Sequence, residues 1–336
     1  LTALQPFLNN FLTLFSDTGS EMMTGSRAAS IPFRRGSRIV PAPPADQDRN
    51  MIYFTPPPQA ARRISDTREV LPYPRVRWQD FAPDFGRLLA GFSPITLVEM
   101  GGVALQDRSD TKFLLDERDL YEALTRLSQA YRVLDIDSVR LNHYRTLYFD
   151  TPDFALYRQH HAGRRERYKV RSRSYLDSHL SFLEVKHKVS RNRTVKSRVA
   201  TDDLLVQFTP EAGDFLRDCL PLDPYGLEPK LWNEYTRVTL VSKTRVERVT
   251  LDLNLSFTDG ERTVSLPGVV IAEVKQAGVD RDSDFMRRMR ALGVRPIGFS
   301  KYCAGVAMTQ PAIKHNRLNP QLRRVDQLIH GGTHVH

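Results

Sequence analysis

Between Arg167 and Tyr175 the basic residues fall on alternate positions, with Lys169, Arg171 and Arg173 interleaved with Tyr168, Val170 and Ser172. Side chains two residues apart share one face of a β-strand. The three cations of this run therefore point the same way. A helix would scatter them around its circumference, so the run reads as a strand with one strongly positive face.

The pattern returns along the chain. Glu184, Lys186 and Lys188 share a face in Leu180–Lys188, and Lys196 and Arg198 do so in Thr194–Ala200. Tyr235 pairs with Arg237 in Asn233–Val241, Asp252 with Asn254 in Arg248–Phe257, and Glu273 with Lys275 in Val269–Gln276. A further strand spans Tyr144–Asp150. The opposite faces are largely apolar: Leu183 and Val185, Val238 and Leu240, Val249, Leu251 and Leu253, Ala272 and Val274. One strand of this kind is an ordinary half-wetted sheet member. Repetition makes the charged face a property of the whole sheet. The strands are mostly consecutive, with few βαβ alternations, which predicts an α+β fold with an antiparallel sheet or barrel. If that sheet closes with its charged face inward, the result is a basic tunnel carrying a few isolated carboxylates, Glu184, Asp252 and Glu273. Such an interior suits a phosphate chain, and its acids suit a hard divalent cation.

Helices are expected in three places. One opens at Asp116-Glu117 with Leu120, Leu124, Leu127 and Tyr131 on one face. A second starts near Thr201, Asp202 and Asp203. A third is capped by Ser283, carries Phe285, Met289 and Leu292, and is closed by Gly293. His160 and His161 read as part of a polar loop, and Cys303 as a buried bystander thiol.

Proline divides the chain. Residues 1–90 hold 11 of the 21 prolines, with basic pairs such as Arg34-Arg35 and Arg62-Arg63 among them. This stretch cannot sustain long helices or central strands and reads as a loosely packed or disordered arm. Residues 91–308 form the regular domain, and residues 309–336 a polar tail containing His334 and His336. Net charge is +10, which favours polyanionic partners. Two cysteines give no disulfide framework and point to a reducing, cytoplasmic setting. No apolar run reaches the length of a spanning helix, and the first residues lack the basic start of a secretory signal. P-loop, HExxH and GxSxG patterns are absent.

An ordered series of short motifs then becomes informative: Asp110–Phe113 (DTKF), Leu147–Asp150 (LYFD), Val170–Tyr175 (VRSRSY), Phe182–Lys186 (FLEVK), Thr194–Arg198 (TVKSR), Tyr235–Arg237 (YTR), Thr250–Asp252 (TLD), Ala272–Lys275 (AEVK) and Phe299–Tyr302 (FSKY). From Phe92 to Met308 the chain resembles the VTC domain, the polyphosphate polymerase module of the vacuolar transporter chaperone complex and a member of the triphosphate tunnel metalloenzymes. The resemblance implies an antiparallel eight-stranded β-tunnel with flanking helices. It implies that Lys112, Arg171, Arg173, Lys186, Lys196, Arg237 and Lys301 grip phosphates, with Lys169, Arg198, Tyr235, Lys275 and Ser300 as further substrate contacts. Glu273 would be the principal ligand of Mn²⁺ or Mg²⁺, supported by Glu184 and Asp252. The implied reaction moves the γ-phosphate of ATP onto a polyphosphate chain, or onto inorganic phosphate at initiation. In the superfamily's hydrolytic branch the first strand carries ExExK. Here the stretch is Arg108–Lys112 (RSDTK), with arginine in the first acidic slot, which argues against a two-metal triphosphatase.

Rival readings are a metal-dependent triphosphate or polyphosphate hydrolase, with water as acceptor, and a non-catalytic polyphosphate-binding module. The binding module has no need for Glu273. Nucleic acid is disfavoured, because the aromatic residues form neither an RNP-like stacking set nor a recognition helix. Any association with a membrane would run through a separate membrane-protein partner.

Overall fold

A computed structural model describes residues 83–101, 109–190 and 193–330. Most of the proline-rich arm, including Phe54 and Trp78, lies outside the described residues, as do Arg108, His334 and His336. The chain begins with α1 (Pro83–Ala90), β1 (Ser93–Ile95), α2 (Leu97–Gly101), β2 (Ser109–Asp116), α3 (Glu117–Leu127) and β3 (Tyr131–Leu134). It continues through β4 (Asn142–Asp150), α4 (Ala155–Ala162), β5 (Arg167–Tyr175), β6 (Leu180–Lys188), β7 (Thr194–Thr201) and α5 (Pro210–Cys219). The last third holds β8 (Glu228–Ser242), β9 (Glu247–Thr258), β10 (Thr263–Leu266), β11 (Val269–Gln276), α6 (Asp284–Ala291), α7 (Lys301–Thr309) and α8 (Asn319–His330).

Eight strands form one antiparallel path in the order β2-β11-β9-β8-β4-β5-β6-β7. This is the eight-stranded antiparallel architecture that the sequence predicts, flanked by helices. No ladder joins its two ends, β2 and β7, among the described residues, so backbone hydrogen bonds do not close the barrel. The sheet nevertheless curls, because groups from opposite ends of the path act on one another. Lys186 on β6 is influenced by Glu273 on β11 and Lys112 on β2. Lys169 on β5 is influenced by Lys112 as well.

Two apolar layers cover the outer faces. Phe113, Leu115, Val238, Leu240, Val249, Leu251, Val270, Ala272 and Val274 pack with Leu120, Leu124, Phe285 and Met289 from α3 and α6. Leu147, Phe149, Val170, Leu183 and Val185 pack with Ala212 and Leu216 of α5. Hydrophobic burial thus occurs on the outside of the curled sheet, under helices, and leaves the charged positions facing inward.

On β9 the alternation slips. Asn254 adopts positive φ (52°) beside the register shift opposite Glu234–Thr236. Asparagine tolerates this conformation better than most residues. An extra residue in one strand flips the faces beyond it. Leu251 and Leu253 therefore join the outer layer, whereas Leu255 and Phe257 join an inner cluster with Tyr144, Tyr235 and Tyr302. The simple pairing of Asp252 with Asn254 on one face ends at this bulge.

α7 fills the apolar end of the interior. It is buried almost all round, from Tyr302 to Ala307 and again at Thr309. Gly305 permits this fit, since a Cβ there would come within 2.5 Å of Leu231 Cδ2 and Phe257 Cδ1. Seated in this way, the helix start carries Ser300 and Lys301 to the charged part of the interior. Ser300 caps the helix, accepting from the Cys303 N–H at 3.2 Å.

Local differences from the sequence reading have simple causes. α3 is capped by Asp116, which accepts from Asp119 N–H at 2.7 Å, but it ends at Leu127. Tyr131 opens β3 instead, where pairing with β8 outweighs the helical spacing. The helix expected near Thr201 begins nine residues later at Pro210, because β7 runs to Thr201 in its ladder with β6. Thr209 caps it, and proline is favoured in a first turn. α6 is capped by Ser283 and closed by Gly293 at φ 69° as the spacing predicts. His160 and His161 lie on α4 rather than in a loop. In the segment read as arm, α1 buries Phe85 and Leu89, and in the segment read as tail, α8 buries Val325.

Candidate functional site

Register alone predicts which side chains meet. Lys169, Lys186 and Lys196 stand side by side across β5, β6 and β7, and Arg171, Glu184 and Arg198 form the next row. Lys112, Glu273 and Thr250 form a row across β2, β11 and β9, and Arg237 faces Asp252 across β8 and β9. Lys301 reaches the same interior from α7.

The three carboxylates are each held by cations. Lys112 and Lys275 both donate to Glu273. Arg237 forks Asp252, with Nη2 at 2.8 Å from Oδ2, and Lys301 donates to the same carboxylate. Arg171 Nε donates to Glu184. Charge-assisted pairs of this kind survive burial only because both partners are satisfied. Burial opposes the charge of Glu184, but Arg171, Arg173 and Arg198 more than reverse it and bring the carboxyl to about 2. Burial likewise opposes charge on Asp252, and Arg237 with Lys301 brings it to about 2. For Glu273 the same opposition is overcome by Lys275 and Lys112, which hold it well below the usual carboxylate range.

The cations pay for crowding in the opposite direction. Desolvation by the surrounding wall, then neighbouring Lys169, lowers Lys186 to about 8, although the residue is itself open to solvent at the rim of the interior. Burial lowers Lys169 and Lys301 too. Aromatic rings share the load: Arg237 lies 5.0 Å from the Tyr144 ring centroid and 5.3 Å from that of Tyr235, and Lys301 lies 4.4 Å from Tyr235. Those rings stack on one another at 5.0 Å. Cations over ring faces gain electrostatic attraction that water would otherwise supply.

Lys169 Nζ donates to Ser300 Oγ at 2.9 Å, tying β5 to the cap of α7. Beside this link opens a cavity of about 320 Å³, lined among others by Arg167, Lys169, Lys186, Lys188, Phe299 and Ser300. Cys303 and His160 also line it. His160 Nε2 contacts the Tyr168 carbonyl at 2.9 Å, and burial next to Lys169 keeps its imidazole neutral.

The structure brings the predicted basic residues to one interior face. It does not bring the three predicted metal ligands together. Among the described residues no three His, Cys, Asp or Glu side chains gather around a point. All three carboxylates are ion-paired, Glu184 with Arg171, Asp252 with Arg237 and Lys301, and Glu273 with Lys112 and Lys275. Glu273 retains oxygen-donor chemistry suited to Mg²⁺ or Mn²⁺, which are commonly held by one or two carboxylates together with substrate phosphates. A site built on Glu273 and completed by substrate phosphates fits this interior. Sequence reading missed Tyr144, Asn142 and Thr250, which lie on the inner face. The strand period could have found Thr250, which shares parity with Asp252; Asn142 and Tyr144 are placed only by their register opposite Arg237 and Tyr235.

The family model described as the VTC domain matches residues 107–310. None of the curated proteins matches the chain. Solved structures similar to it include a candidate adenylate cyclase from Vibrio parahaemolyticus, 14% identical over 57% of this chain and 94% of that one, with a TM-score of 0.34. Another from Bacillus halodurans is 13% identical over 58% and 95%, with a TM-score of 0.37. An adenylyl cyclase candidate from Hippeastrum, described as having a dominant triphosphatase activity, is 15% identical over 61% and 98%, with a TM-score of 0.37.

Proposed function

The chain belongs to the VTC domain family, and from that premise we propose that it is a phosphotransferase moving the γ-phosphate of ATP onto a polyphosphate chain. The observation that carries this reading is the curled sheet's inner face. Cations from β2, β5, β6, β7, β8, β11 and α7 converge there and outnumber the carboxylates that partly neutralise them. A narrow, confined, positive interior favours an extended chain of phosphates.

Phosphoryl transfer has a loose transition state with charge spread over oxygens, so positioning and electrostatics do most of the work. In this reading Arg171, Arg173 and Arg237 supply forked contacts that orient successive phosphates, while Lys112, Lys169, Lys186, Lys196 and Lys301 act as point charges. No protein nucleophile is needed. Ser300, held by Lys169, keeps the start of α7 in place so that Lys301 faces the chain. Glu273 is the side chain that would hold a divalent cation, Mn²⁺ or Mg²⁺, and such a cation when bound neutralises charge on β- and γ-oxygens. Phosphate entering the tunnel competes with the resting ion pairs, drawing Lys112 and Lys275 off Glu273. The acceptor oxygen belongs to a polyphosphate end or to inorganic phosphate.

The test is purified protein with ATP and Mn²⁺ or Mg²⁺, assayed together for long-chain polyphosphate and free phosphate. Accumulating polyphosphate supports the transferase. Free phosphate alone would replace it with a hydrolase, and tight polyphosphate binding without turnover would leave a binding module.

A further inference from the structure

Four neutral side chains on the tunnel wall have buried polar atoms without a hydrogen-bond partner among the described residues; three of these atoms can donate, Asn142 Nδ2, Tyr235 Oη and Thr250 Oγ1, and the fourth, Asn233 Oδ1, is an acceptor. The three donor-bearing residues are more than nine-tenths buried, at 6%, 1% and 3% exposure. They lie on the inner faces of β4, β8 and β9. Asn142 stands opposite Arg237 across β4 and β8, and Tyr235 lies two residues from Arg237 on the same face. Thr250 stands opposite Glu273 across β9 and β11. Its hydroxyl does not bond that carboxylate, which is engaged by Lys112 and Lys275.

Leaving a buried polar group unpaired costs about 1–3 kcal/mol. Thr146 Oγ1 and Ser300 Oγ, by contrast, are satisfied: the first accepts from Arg173 at 3.2 Å and the second from Lys169. Each of the three orphaned donors can give a hydrogen bond, and phosphate oxygens accept them. Cations alone cannot fix the register of a phosphate chain, because a lysine attracts any oxygen within reach. Neutral donors at fixed positions are directional and do not add to the repulsion among crowded cations.

We propose that Asn142 and Thr250, together with Tyr235, form a neutral donor set that hydrogen-bonds phosphate oxygens beside Arg237 and Glu273 and sets the register of the bound chain. The proposal rests on the phosphate-tunnel reading above. It assigns Asn142 and Thr250 as substrate-contacting residues.

The experiment compares wild type with Thr250→Val, Asn142→Leu and Thr250→Ser, measuring tripolyphosphate binding by calorimetry and the melting temperature of the free protein. Valine matches threonine in shape and lacks only the hydroxyl. If the hydroxyl is unsatisfied until ligand arrives, free Thr250→Val melts no lower than wild type. Its tripolyphosphate affinity falls about 5–10-fold, the worth of one lost hydrogen bond. Asn142→Leu loses affinity to a similar extent, and Thr250→Ser restores it. Unchanged affinity in Thr250→Val and Asn142→Leu overturns the proposal. So does a lower melting temperature in free Thr250→Val, since the hydroxyl would then be satisfied without ligand. Failure of the wild type itself to bind tripolyphosphate would instead overturn the tunnel reading and this inference with it.

Discussion

Glu273 shows how the tunnel balances charge at the level of single residues. At rest, Lys112 and Lys275 neutralise it. Glu273→Gln removes the charge that would attract a divalent cation and frees both lysines. The expected outcome is a fall in metal-dependent turnover of at least about 100-fold, since such stabilisation supplies several kcal/mol. Tripolyphosphate binding, measured without metal, should hold or tighten. Arg171→Ala should behave differently. Glu184 remains near Arg173 and Arg198, so the fold should persist, while binding weakens about 10–100-fold with the loss of charge-assisted contacts. Lys186 adds a pH signature. Its pKa is lowered to about 8, and an anionic chain pulls it back up. Binding should therefore take up protons near pH 8 and weaken as pH rises beyond it, which calorimetry in buffers of different ionisation enthalpy would detect. Binding that is indifferent to pH from 7 to about 9 would contradict this assignment.

Among the secondary elements, α7 is the one whose placement decides the chemistry. Its middle is set by Gly305 against Leu231 and Phe257, and its first residue, Lys301, reaches Asp252. Gly305→Ala would place a methyl group into a packed contact and push the helix outward. Helix propensity would favour alanine by about 1 kcal/mol, yet overpacking costs about 1–3 kcal/mol. The expected result is a lower melting temperature together with weaker phosphate binding, because Ser300 and Lys301 move with the helix. A variant that gains stability and binds normally would show that the helix has room to adjust. The bulge at Asn254 acts in the same way on β9, turning Leu255 and Phe257 into the floor on which α7 rests. Ser283 and Gly293 mark the limits of α6 in plain sequence. By contrast, the end of α3 was hidden, because Tyr131 keeps helical spacing yet is claimed by the ladder with β8 and by its hydrogen bond to Glu247.

The molecule as a whole places apolar layers outside the curled sheet beneath helices, and fills the inside partly with an apolar cluster around α7 and partly with ion pairs. Acid should therefore loosen it from the inside. Glu184 and Asp252 have pKa values of about 2 against ordinary values of 4.5 and 3.8. The unfolded chain binds more protons over that interval, so their contribution is complete above about pH 4.5 and is lost as pH falls toward about 2. Denaturant titrations across this range should show the decline, and a flat profile would mean that the pairs add nothing to folding. The N-terminal boundary offers a second test. Phe85 and Leu89 on α1 are buried with the outer layer. A chain beginning at residue 91 should be less stable than one beginning at residue 83 by about 3–5 kcal/mol, from the apolar surface of two large side chains. Equal melting temperatures would show that α1 contributes little.

Local covalent geometry made much of this legible in advance. The two-residue period of a strand determined which side chains share a face, and so grouped Lys169 with Arg171 and Arg173, and Glu273 with Lys275, before any fold was known. The run of consecutive strands likewise determined the antiparallel α+β class. Partnership across the interior was not legible, because it depends on groups far apart in the chain. Lys112 meets Glu273 across 161 positions, and Lys301 meets Asp252 across 49. Only the tertiary structure decided which cations pair with each carboxylate: Arg171 with Glu184, Arg237 and Lys301 with Asp252, and Lys112 with Glu273. It also decided that α7 lies inside the curl and that β9 changes faces at Asn254. Alternation is set by neighbouring bonds, whereas pairing and packing are set by which distant surfaces the folded chain presses together.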